Sequence, residues 1–315
     1  MAKLLKLIQN EWMKLWHKKG TWAMVALLIL FIIGPGIMMK YYETKTTEDK
    51  TWQETEQTAI NDYKEMLKGD DVSGENKQHF EEQIAISEYR LANDVPSLED
   101  GSVASFMSFA SGMLTLVTLF TVITAASIVS SEFSTGTIKM LLTRPASRAK
   151  ILTSKLLTTF IFGLFLIVVN VIVSALVGLI LFGGATGVEL EVVNGQVVEK
   201  AVWNDLAYYY LLSGGNFVMS VLFAFLVGSV FRSSSLAIGL TMFLSFTGGM
   251  IVVFLSKFKI VKYIWITHSD LTQYETGNFI VPDMTMPFSL TILAIYAVLF
   301  LAISYMSFMK RDVTA

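Results

Sequence analysis

Six unbroken apolar runs govern what this chain can become, because each is long enough to cross about 30 Å of hydrocarbon as a helix. They cover residues 21–39, 105–130, 156–183, 206–231, 235–256 and 287–309, and none contains Asp, Glu, Lys, Arg or His. Inside a bilayer every backbone N–H and C=O must find a partner within the protein, which makes helices of such runs. The 315 residues are 53% hydrophobic and only 16% charged, against about a quarter charged in a soluble domain. The predicted fold class is therefore all-α and polytopic: one compact helical body with six transmembrane helices. The first run has no small-x-small exit of the kind a cleaved signal peptide needs. There is no cysteine, so disulfides and thiolate metal sites are excluded.

Charge gives the orientation. The segments 1–20, 131–155, 232–234 and 310–315 hold 13 of the 24 Lys and Arg residues and only 3 of the 26 acids. By the bias of basic residues toward the inner face, these segments are expected in the cytoplasm, with both termini inside a cell membrane. Residues 40–104 carry 16 acids and are expected outside.

Several connecting segments have their own patterns. In residues 1–20, Leu4, Leu5, Ile8, Trp12, Leu15 and Trp16 recur at helical spacing, with Lys3, Lys6, Asn10, Lys14 and His17 largely elsewhere. An amphipathic helix at the inner interface is expected, its tryptophans near the headgroups and its lysines toward anionic lipid. Gly34-Pro35-Gly36 marks a kink or a frayed exit near the end of span one. In 40–104, Ile60, Tyr63 and Leu67 share one helical face, and Phe80, Ile84 and Leu91 share another after GDDVSG, which predicts an extracellular helical hairpin. In the extracellular loop 184–205, VELEVVNGQVVEK reads as a strand pair turning at Asn194-Gly195. Residues 257–286 are aromatic and too polar to span, hence extracellular or re-entrant. His268 and Asp270 there read as solvated loop residues. Ser174 with Gly178, and Ala224 with Gly228, form small-xxx-small pairs that allow close helix packing.

Residues 127–155 form a polar, basic island between spans two and three. Glu132 is read as standing in the first turn of a short helix reaching about Leu142, where an acid suits the positive end of the backbone dipole. Phe133, Leu141 and Leu142 offer apolar contacts, and Gly136 and Thr137 keep one place narrow. Arg144-Pro145 ends the helix, since the residue before proline is pushed from the α region. Ser147 and Arg148 start the next. The string EFSTGTIKMLLTRPASR, residues 132–148, resembles the hallmark segment of ABC-2 type permeases, the transmembrane subunits of one class of ATP-binding cassette exporters. The six-span layout and N-terminal helix fit as well. The resemblance implies that Glu132 to Leu142 is a coupling helix seated on an ATPase subunit, with Glu132, Arg144 and Arg148 making polar contacts. It also implies that the N-terminal helix, with Trp12 and Trp16, is the connecting helix beside that groove. Partners so implied are two copies of the ATPase, a second permease subunit, identical or homologous, and membrane lipids, but no nucleic acid.

Energy coupling must then come from outside the chain. Secondary transporters and proton pumps usually carry ionisable groups within the membrane, and the six runs have none. The dipeptide Gly-Lys does not occur, so no P-loop is present. His17, His79 and His268 are isolated, unlike a His-Glu-x-x-His metal helix. No catalytic, cofactor or metal residue is expected here; ATP and magnesium belong to the partner ATPase, and the chain itself is not an enzyme. Two other readings compete: a non-transporting membrane sensor or scaffold whose extracellular hairpin binds a ligand, and a passive channel.

Overall fold

The computed structural model describes residues 2–46, 51–68, 74–96, 102–134, 147–184, 188–193, 195–231, 233–276, 279–281 and 284–310. Six of its helices, or helix pairs, are long and apolar enough to cross a membrane: Lys19–Tyr42, Val103–Glu132, Arg148–Phe182, Val202–Phe231, Ser234–Leu255 and Met286–Met309. The protein is a multi-pass membrane protein built from helices.

In chain order the elements are α1 (Ala2–Trp16), α2 (Lys19–Thr46), α3 (Trp52–Met66), α4 (Gly74–Asn93), α5 (Val103–Ser111), α6 (Leu114–Ser134), α7 (Arg148–Phe182), strands β1 (Leu190–Val193) and β2 (Gln196–Glu199), α8 (Val202–Phe231) and α9 (Ser234–Leu255). A 3-10 turn (Lys259–Tyr263), α10 (Trp265–Ser269), α11 (Gln273–Thr276) and α12 (Met286–Lys310) complete it. Two compact units stand where one body was expected: the first is Met1–Ile29, Met113–Asn170 and Tyr208–Ala315, the second Leu30–Gly112 and Val171–Ala207.

The first unit is packed around α6, α7, α8 and α12. Val122, Ala125 and Val129 of α6 meet Leu152 of α7, Met219, Leu222 and Phe225 of α8, and Phe300 of α12 in one buried cluster. Gly228 of α8 lies so close to α6 that a β-carbon there would come 2.7 Å from the Ala126 carbonyl oxygen. The expected small-residue contact is thus real, and it is backbone against backbone. Span two is not one helix: α5 ends at Gly112, and α6 begins a fresh set of bonds from Met113 onward.

His268 departs from the expected solvated loop. It is fully buried, with Nε2 2.8 Å from the Lys262 carbonyl and Nδ1 2.6 Å from Ser289 Oγ at the start of α12. The carbonyl can only accept, so Nε2 carries the proton and Nδ1 accepts from Ser289; Tyr274 Oη lies 2.6 Å from that same hydroxyl. The aromatic run hid a small core in which an imidazole is fully hydrogen-bonded. Burial lowers the His268 pKa from 6.5, partly offset by the Lys262 bond. Below about pH 6.5 the unfolded chain takes up a proton that the folded chain resists, so stability falls as pH drops toward the lowered native value. The thermal midpoint is expected to fall between pH 7 and 5, and to fall less in His268→Gln.

In the second unit, α2 does not end at residue 39 but runs through Pro35 to Thr46. Gly36 leaves room for Val177 of α7 and Phe106 of α5, whose atoms lie 2.9 and 3.0 Å from where a β-carbon would stand. Gly178 similarly admits Val103. The helical hairpin forms as expected: Tyr63 stacks on Phe80, Ile60 is buried, and Thr51 with Glu54 makes a capping box that starts α3. The strand pair also forms, with Val193 opposite Gln196 and Gly195 at φ +77°.

Arg90 joins these pieces. From α4 its Nη1 donates to the carbonyls of Pro96 (3.0 Å) and Val188 (2.8 Å), and its Nε lies 3.6 Å from Glu56 of α3. Only 7% of the side chain is exposed. Arg90→Ala leaves two carbonyls and a carboxylate without their cation, which costs roughly 1–3 kcal/mol. Limited proteolysis between residues 51 and 96 is expected to quicken accordingly, while Arg90→Lys rescues little because one ammonium cannot span the same fork.

Candidate functional site

The two helix ends that flank residues 135–146 are joined by a ring of four charges. Glu132 lies in the last turn of α6, Lys155 in the second turn of α7, and Glu11 and Lys14 lie one turn apart on α1. Lys155 Nζ is 2.7 Å from Glu11 Oε2 and 2.9 Å from Glu132 Oε1. Lys14 Nζ is 2.9 Å from Glu11 Oε1 and 3.1 Å from Glu132 Oε1. Each carboxylate therefore touches both ammoniums, and charges alternate around the ring.

Burial sets how strongly the ring holds. The Lys155 side chain is 1% exposed and those of Glu11 and Glu132 are 8% and 11%, whereas Lys14 is 41% exposed. An ammonium as buried as Lys155 persists only beside compensating carboxylates. For Lys14, partial burial pulls the pKa down, but its bonds to Glu11 and Glu132 outweigh it and the pKa is raised.

The neighbours of the ring hold α1 in place. Trp12 and Trp16 meet Phe165 of α7 edge to face, with ring centroids 6.1 and 5.2 Å apart. Thr21 Oγ1 donates to the Leu15 carbonyl and Trp22 Nε1 to that of Trp16, closing the turn from α1 into α2. These tryptophans, expected at the headgroups, are thus partly turned onto a neighbouring helix. At the far side of the segment, Ser147 receives the Lys150 N–H and starts α7, and Arg148 Nη1 donates to the Met309 carbonyl at the end of α12. Ser130 of α6 and Ser234 of α9 share a hydrogen bond.

Glu132 corrects the expectation that it opens a short helix. No breaker follows span two, so α6 continues through Glu132 and Phe133 to Ser134. There Lys155 and Lys14 compensate its charge. Gly136, Thr137, Leu141, Leu142, Arg144 and Pro145, with the expected short helix, lie outside the described residues. The helix expected to start at Ser147 and Arg148 does begin at Arg148, and it carries Lys155 into a buried position seven residues on.

Glu11, Lys14 and Lys155 are functional candidates that loop-by-loop charge counting passed over. A signal existed. Glu11 is the one acid in residues 1–20, and its spacing from Leu4, Ile8 and Leu15 puts it on the apolar face, where a lone carboxylate needs a buried cation.

The family DUF2705, described as a protein family of unknown function, matches residues 76–314. The chain belongs to this family. The match takes in Glu132 and Lys155 but begins after α1. YhcI of Bacillus subtilis (strain 168), an uncharacterized protein, is 37% identical over 315 residues, covering 98% of this chain and 99% of its own. YdbK of the same organism, an uncharacterized membrane protein, is 32% identical over 219 residues, 68% of this chain and 85% of its own.

Proposed function

We propose that this chain is the membrane permease subunit of an ATP-driven exporter of the ABC-2 type. The observation that carries this reading is the string from Glu132 to Arg148, whose acid, Gly-Thr, paired leucines and Arg-Pro match the hallmark segment of that family over its whole length. The ring at its two ends supports the reading, since a segment that receives force needs rigid attachments. In this proposal residues 131–155 and both termini face the cytoplasm of a cell membrane, and two permease subunits enclose the path. Two ATPase subunits carry ATP and magnesium, and their closure drives the spans as rigid bodies. Phe133, Leu141 and Leu142 fill the ATPase groove, Gly136 and Thr137 allow close approach, and Arg144 and Arg148 make polar contacts beside Pro145. Glu132 already has two partners in its own chain, so Arg144 offers the cleaner test.

Arg144→Ala is expected to leave membrane insertion intact and to lower ATP hydrolysis linked to transport by at least about tenfold, as for a truncated charged contact in an interface. Insertion followed by unchanged coupling would sink the docking claim. A kinase purifying in stoichiometric amount in place of an ATPase would support the sensor reading instead.

A further inference from the structure

We infer that Glu11 and Lys155 form a clamp that makes α1 part of the same moving body as the helix ends flanking residues 135–146, with Lys155 as its positioning residue. This rests on the exporter reading for its role in transport, but the clamp is defined by contacts within the chain. α1 touches α7 at two levels ten residues apart. At Lys155 the tie is ionic, to Glu11; at Phe165 it is aromatic, to Trp12 and Trp16. The same lysine holds Glu132 at the end of α6. A displacement of either helix end therefore acts on α1 through a bond buried away from solvent. Separating α1 from α7 leaves Glu11 or Lys155 short of a partner, a penalty that an aromatic contact does not carry.

Among the charged groups of the described residues, Glu11 is the one on α1 that meets Lys155. The two sets of contacts therefore make different predictions. If the buried Glu11 to Lys155 bond clamps the helix, removing the Glu11 charge frees α1 although Trp12, Trp16 and Phe165 remain and the part-exposed Lys14 still meets Glu132. If the aromatic tie suffices, nothing moves. Glu132→Gln separates the cases further, because it leaves the Glu11 to Lys155 bond in place.

The absence of cysteine allows spin labels at Gln9→Cys on α1 and Lys150→Cys on α7, both exposed positions. In the purified full chain, pulsed dipolar spectroscopy is expected to give one narrow distance, retained in Glu132→Gln and lost to a broad distribution in Glu11→Gln. A distribution as narrow in Glu11→Gln as in the parent overturns the clamp. Should Glu11→Gln not fold, Lys155→Met combined with Glu11→Gln removes both charges together; the same broadening supports the clamp and its absence overturns it. In complex with the ATPase, the parent distance should be identical with and without trapped nucleotide, and in Glu11→Gln it should differ between the two states. A parent distance that changes with nucleotide overturns the single moving body. Failure of any ATPase to associate sinks the exporter reading, while the spectra of the chain alone still decide the clamp.

Discussion

Lys155→Ala is expected to be among the most damaging single changes in the protein, lowering its stability by roughly 3–5 kcal/mol, the usual cost of removing one member of a buried ion pair. The magnitude follows from what remains. Glu11 and Glu132, each about nine-tenths buried, would face one another with only the part-exposed Lys14 between them. Lys155→Met with Glu11→Gln and Glu132→Gln should recover most of the loss, because the one charge left, on Lys14, is part-exposed and can be solvated. Thermal unfolding in detergent, followed by tryptophan fluorescence, distinguishes the cases. If Lys155→Ala unfolds at the parent temperature, the ring does not tie α1, α6 and α7 together.

The second large effect belongs to Gly228. A β-carbon at this position meets the Ala126 carbonyl oxygen at 2.7 Å and its Cα at 3.3 Å. Both are backbone atoms, so relief requires moving α8 away from α6. Gly228→Ala should therefore cost about 1–3 kcal/mol, the range for forcing extra volume into a packed core, and Gly228→Leu should prevent folding. Gly214, on the same helix, meets nothing within 4 Å. Gly214→Ala should be neutral or stabilising by up to about 1 kcal/mol, from helix propensity alone. Equal melting temperatures for Gly228→Ala and Gly214→Ala would show that the close approach carries no weight.

The spans were readable because a hydrocarbon layer imposes a length and a polarity that few other environments impose. Their ends were less so. α2 continues past its apolar run to Thr46 because helical bonding does not stop where hydrophobicity does. The turn at Gly195 was legible since its positive φ demands such a residue. The charge ring was not, because residues 11, 14, 132 and 155 come from three helices, and sorting charges by segment discards the face on which each one lies. Glu132 shows the same limit: the dipole rule pointed to a helix start, while the residue belongs to α6 and meets two lysines from other helices. His268 was misread because an isolated polar residue among aromatics gives no sign of the Ser289 hydroxyl that receives it.

Most of the hydroxyl groups within the spans serve their own helices. Thr121, Thr124, Thr158, Thr159, Ser229, Thr241 and Ser304 each donate to a carbonyl four residues earlier. Cross-helix bonds from Ser130 to Ser234, from Thr153 to Tyr305 and from Lys155 to Glu132 lie instead at the ends next to residues 135–146. Tyr210 to Asn170 is a tie further along. The shafts between are greased: sliding one past another there breaks dispersion contacts that re-form at once, and none of those seven hydroxyl bonds. At the other end of α12, His268 and Tyr274 hold Ser289, so the helices of the first unit form a sheaf bound toward both ends, stiff where they are tied and freer between.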